Sequence, residues 1–221
     1  MERQAAMVRA PLYPLTGSGP VVLAALGGLA VLPLGGFVAW VVLVLAAALA
    51  VRETVRGRDA FPGLDAVRKV PGLGALWARA LVTTSVVLLP ILVSLSLAFL
   101  AGSFPDEDVL ETAAKLAIPI GFFLGFIGVL FVPAALVLAV SDPDLFAILQ
   151  PGRFRHANEN LAAATVVSGL GAFFLLIALG VVNKLAPTTL ARGLDMAILS
   201  GFLLVVARLA GLGARSRVPL A

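Results

Sequence analysis

The chain has 221 residues, of which 61% are hydrophobic and 13% charged, against about 45–50% and 25% in an ordinary globular domain. With a mean hydropathy of +1.08, it has too little polar surface to cover a water-soluble fold of this size, so lipid is the expected solvent for much of it. Lack of Cys and the single His156 exclude disulfide frameworks, thiol catalysis and Cys- or His-cluster metal sites, and the net charge of +4 suits cytoplasmic loops better than a nucleic-acid surface.

A helix needs about 20 residues to cross roughly 30 Å of hydrocarbon. Four charge-free runs reach that length: Ala10–Val51, Leu81–Phe104, Leu116–Ser141 and Asn160–Asn183. A fifth apolar run, Leu185–Gly213, is interrupted by Arg192, Asp195 and Arg208. None shows the alternation of a membrane barrel strand. The expected fold class is all-α: a single-domain polytopic transmembrane helix bundle with about six membrane segments.

After an N-terminal arm (1–19), the first run is too long for one span, at roughly 63 Å if helical throughout. Gly17-Ser18-Gly19-Pro20 and Pro33-Leu34-Gly35-Gly36 are the breakers that divide it. The legs Val21–Leu32 and Gly36–Val51 would then reach only about 18 and 24 Å. Residues 20–51 are read as a short tight hairpin, either two short spans or a re-entrant wedge. A cleaved signal peptide behind Arg3 and Arg9 is the alternative, but the run far exceeds a signal core of about 7–15 residues.

Residues 52–104 then read as an interfacial helix plus a span, residues 105–183 as span, interfacial helix and span, and residues 184–221 as a last span with a basic tail. Only Lys115, Lys184 and Arg192 of the 16 basic residues fall on the side opposite the termini. The positive-inside rule therefore predicts that both termini face the cytoplasm, with residues 102–115 outside. The multi-pass protein is expected in a cytoplasmic (inner) membrane.

The two cytoplasmic connections read alike. Phe61-Pro62-Gly63-Leu64-Asp65-Ala66-Val67-Arg68-Lys69-Val70 ends at Pro71-Gly72, and Asp142-Pro143-Asp144-Leu145-Phe146-Ala147-Ile148-Leu149-Gln150 ends at Pro151-Gly152. The expectation is an internal repeat with short interfacial helices over 62–70 and 143–150, each stopped by Pro-Gly. Ser141-x-x-Asp144 resembles a capping box for the second.

Within the stretch Arg52–Asp65, residues Gly57, Asp59, Phe61, Pro62, Leu64 and Asp65 resemble a motif of the prokaryotic membrane family catalogued as domain of unknown function 4013. The order of later spans and interfacial helices is similar too, so the likeness covers nearly the whole chain. Ala66 and Val67 depart from it, since a second Asp and an aromatic residue usually follow the motif. The resemblance implies a prokaryotic polytopic membrane fold and carries no assigned activity.

Candidate site residues are few. Arg192 and Asp195, at i, i+3 in the last apolar run, could form an intramembrane pair; the simpler reading puts Asp195 at the outer boundary, with Arg208 snorkelling to the inner headgroups. Arg68, Lys69, Arg153 and Arg155 could meet anionic lipid headgroups. Gly121, Gly125 and Gly128 form a small-residue stripe suited to helix packing. His156 lacks a positioned partner, and no nucleophile elbow, Walker loop or His-Glu-x-x-His stands in the chain. Neither cofactor nor metal is expected. These observations imply a non-enzymatic inner-membrane subunit or scaffold, partnered by the lipid bilayer and by another protein or a second copy of itself, with no nucleic-acid partner. The alternative is a transporter or channel subunit built from the duplicated module, with Pro90, Pro119 and Pro133 breaking spans near the midplane.

Overall fold

The computed structural model describes residues 2–32, 34–63, 67–103, 108–159 and 161–215. Its helices are α1 (Glu2–Val8), α2 (Gly19–Val31), α3 (Gly35–Val55), α4 (Leu73–Ser103), α5 (Asp108–Ser141), α6 (Pro151–Asn158), α7 (Ala162–Leu185) and α8 (Thr188–Ala214), with 3-10 turns at Ala10–Leu15 and Ala147–Leu149. Among the described residues there is no strand. Five helices, α3, α4, α5, α7 and α8, contain segments long and apolar enough to cross a bilayer. The chain is an all-helical, multi-span, membrane-type protein.

Both breakers of the first apolar run act as read. α2 starts at Gly19 with Pro20 in its first turn, where a missing N–H leaves no helical bond unmade. It ends at Val31, and Leu34, in the left-handed region at φ 59°, precedes the start of α3 at Gly35. The 13 residues of α2 reach about 20 Å, short of a full crossing.

Other expectations fail. The prolines break nothing: α4 runs through Pro90 and α5 through Pro119 and Pro133 without interruption. A proline removes only one ladder bond, and in an apolar setting the rest of the helix keeps its backbone satisfied. The helix expected over 143–150 is only the 3-10 turn Ala147–Leu149, and Pro151 opens α6 rather than closing a helix. Here Pro occupies the first helical position, which it favours, because Asp142 and Asp144 hold the preceding loop to Arg153. In the first connection, residues 64–66 lie outside the described set and only Val67 and Arg68 of the remainder are helical. Pro71-Gly72 there leads directly into α4. The two connections are therefore built differently on the residues described.

Packing is concentrated at one end. The final turns of α3, α5 and α8 are buried on every side, as Ala46–Thr54, Val132–Val140 and Val206–Ala214. Leu76 and Ala80 near the start of α4, and Leu161 and Ala164 at the start of α7, belong to the same core. The antiparallel pair α4 and α5 makes the most extensive helix–helix contact. Gly128 explains its closeness, since a Cβ there would lie 2.0 Å from the Val87 carbonyl oxygen. Away from this packed end, α7 exposes Leu170, Phe173, Phe174, Leu176, Ile177 and Val181. In lipid such a face is solvated by acyl chains.

Candidate functional site at the junction of the third and last helices

Charged residues come together where α3 and α8 end. α3 finishes in Arg52-Glu53-Thr54, all buried, although a helix of this composition could have ended in water. They are buried because α8 packs along α3 in the same direction and Gly211 lets Thr54 approach, a Cβ at 211 falling 2.6 Å from that of Thr54. After Val55 the chain turns at Gly57 (φ 86°), with the Arg215 guanidinium lying over it.

Arg208 is the centre of the junction. Only 4% exposed, it donates to Thr54 Oγ1 (3.0 Å), to the Arg58 carbonyl oxygen (2.6 Å) and to the Asp59 carboxylate (2.5 Å). Its guanidinium also sits 5.0 Å from the centroid of the Tyr13 ring, a cation–π arrangement that gains strength when desolvated. Arg208 thus does not snorkel to headgroups as its sequence position suggested. An acceptor set on α3 and the following turn holds it inside.

Glu53 forms the second half of the cluster. Its side chain is 2% exposed and meets Arg58 at 2.6 Å and Arg56 at 3.5 Å. Burial raises Tyr13 to about 12, with Arg208 pulling in the opposite direction and Thr54 beside the hydroxyl. Tyr13 also packs edge-on against Phe61, whose N–H donates to Thr16 Oγ1, while Ser18 Oγ donates to the Pro62 carbonyl. Gly57, Asp59, Phe61 and Pro62 of the quoted motif therefore fasten the N-terminal segment, the turn after α3 and α8 together. Leu64 and Asp65 lie outside the described residues.

The other candidates are dispersed. Arg192 is exposed and makes no ion pair with Asp195. Instead of that possible pair, Asn183 Nδ2 in the last turn of α7 donates to Asp195 Oδ2 at 2.7 Å. The side chain of Asn183 approaches across the α7–α8 interface, whereas Arg192 points to the surface. Asp195 Oδ1 is buried without a partner. Arg153 is tied to Asp142 at 2.9 Å and Asp144 at 3.3 Å, while Arg68, Lys69 and Arg155 are exposed. Gly121, Gly125 and Gly128 are buried, and Gly128 faces α4. His156 is exposed, 3.6 Å from Glu159. Among the described residues no group of three or more His, Asp or Glu could hold a metal ion.

What sequence reasoning missed is the junction itself. An Arg inside the last apolar run, with an Arg-Glu-Thr at the end of another, was the available signal, since an intramembrane charge calls for a partner. Comparisons with protein-family models, with curated proteins and with solved structures give no match for this chain.

Proposed function

We propose that the chain is a non-enzymatic integral protein of a prokaryotic cytoplasmic membrane, acting as a subunit or scaffold of a membrane assembly, and that it belongs with domain of unknown function 4013. The observation carrying this reading is the filled packed end. There Ala46–Val51 of α3 is apolar and buried on all sides, whereas a pathway needs polar groups around water. The long apolar face of α7 offers surface to lipid or to a second protein. We place the packed end and both termini in the cytoplasm, because the Arg-rich turn after α3 and Arg215 lie at that end.

Purification of the tagged chain in mild detergent, with identification of what accompanies it, tests the role. A reproducible stoichiometric membrane partner or a defined homo-oligomer is expected. A lone monomer that conducts ions or solutes in liposomes would replace this reading with the transporter alternative. For orientation, single Cys residues at Arg155 and Lys115 suffice, since the native chain has none. Labelling of position 155 from the outside would invert the topology.

A further inference from the structure

Among the described residues, basic groups outnumber acids at the junction. Arg52, Arg56, Arg58, Arg79, Arg208 and Arg215 gather there around Glu53 and Asp59. Both acids are already engaged, Glu53 by Arg58 and Arg56 and Asp59 by Arg208.

Arg52 is left over. It is 5% exposed, and its Nη1 is sealed from solvent with no hydrogen-bond partner among the described residues. A guanidinium cannot escape by losing its proton, and a buried unpaired cation is strongly unfavourable. The dipole at the end of α3 favours a cation there. Glu53 lies within electrostatic range and offsets part of the charge on Arg52, but Arg56, Arg58 and Arg79 lie in range too and add to the same sign. Among the described residues, Arg79 donates from Nε to the Ala139 carbonyl at 3.0 Å.

We infer that Arg52, with Arg56 and Arg79, is a phosphate site: it takes the phosphate of an anionic phospholipid headgroup or a free phosphate ion. Guanidinium forks match phosphate oxygens in pairs. Arg52 stands near the end of the α3 span, the level at which headgroup phosphates lie. Arg56 and Arg58 are long side chains, 34% and 56% exposed, so an anion reaching Arg52 displaces side chains rather than backbone. Exposed Arg68, Lys69 and Arg155 contribute a diffuse field and no enclosed site. The inference does not depend on the assembly role.

The full chain, delipidated in a neutral detergent, is titrated with dioleoyl phosphatidylglycerol, dioleoyl phosphatidylcholine or inorganic phosphate while Tm is followed. Phosphatidylglycerol raises Tm saturably and phosphatidylcholine does not. In Arg52→Gln the half-saturating concentration rises by at least about tenfold, of the order expected for losing one charge-assisted phosphate contact, whereas Arg155→Gln responds like the native chain. Phosphate matching the lipid response identifies the free ion as ligand, and a response to phosphatidylglycerol alone identifies the headgroup. A native-like response in Arg52→Gln, or equal stabilisation by phosphatidylcholine, overturns the site. If Arg52→Gln does not fold, Arg79→Gln is read by the same criterion.

Discussion

Replacing Arg208 by Met should destabilise the folded chain by about 2 kcal/mol, close to thirtyfold in the folding equilibrium. Three terms set this value. The buried Thr54 hydroxyl loses a donor at 3.0 Å, and an orphaned buried acceptor costs about 1–3 kcal/mol. The stacking on Tyr13 at 5.0 Å is worth roughly 1–2 kcal/mol when desolvated. Against these, Met needs no desolvation of charge, and Asp59, whose side chain is 80% exposed, is left in water rather than buried alone. The total therefore stays below the roughly 3–5 kcal/mol typical of breaking a fully buried pair. The assay is unfolding in mixed micelles by added anionic detergent, read by fluorescence of the two Trp residues. Asp59→Asn serves as the comparison and should change stability by less than about 1 kcal/mol, as expected for an ion pair with one exposed partner. The reasoning is refuted if Arg208→Met lies within experimental error of the native chain, or if Asp59→Asn costs as much.

Tyr13 is the only Tyr in the chain, so tyrosinate absorbance reports it alone; its midpoint should stand near 12 in the folded protein and near 10 after unfolding. The folded value is the higher, so this contribution to stability is complete below pH 10 and disappears as pH rises through 12, by up to about 3 kcal/mol; a folded midpoint near 10 would show that Tyr13 is solvated. Gly128→Ala should cost about 1–3 kcal/mol by forcing α4 from α5, whereas Gly28→Ala, with nothing within 4 Å of its Cβ, should stabilise α2 by up to about 1 kcal/mol; equal thermal shifts in the two variants would refute the close approach. Asp195→Asn should fold and keep its stability within about 1 kcal/mol, because an amide oxygen can still accept from Asn183; loss of the folded protein on gel filtration would assign Asp195 a larger part.

Local signals were legible where a single physical effect decides. Gly17–Pro20 and Pro33–Gly36 mark the ends of α2 and the start of α3 because Gly and Pro set the local backbone by themselves. Pro151-Gly152 was misread because the same dipeptide both stops a helix and starts one. Ion pairs from Arg153 back to Asp142 and Asp144 choose the direction, and they form only once the loop has folded. Pro90, Pro119 and Pro133 carry no local information about whether neighbouring turns hold the helix together. Arg208 illustrates the deeper difficulty. An Arg near the end of a span has two outlets, headgroup water or an internal acceptor, and the acceptor lies 150 residues away in the chain.

That separation has a consequence for biogenesis. α3 enters the membrane while Arg208 has yet to be synthesised, and at roughly 5–20 residues per second the interval is on the order of 10–30 s. During it the Thr54 hydroxyl and the Arg58 carbonyl have no guanidinium to accept from, and the surface later covered by Gly211 and Leu212 faces lipid or whatever escorts the nascent chain. The end of α3 is thus an unfinished half-joint through most of translation, and α8 arrives as the piece that locks it. A chain released early would carry every span but the last and still expose that half-joint, a feature by which membrane quality control could tell it from the finished protein.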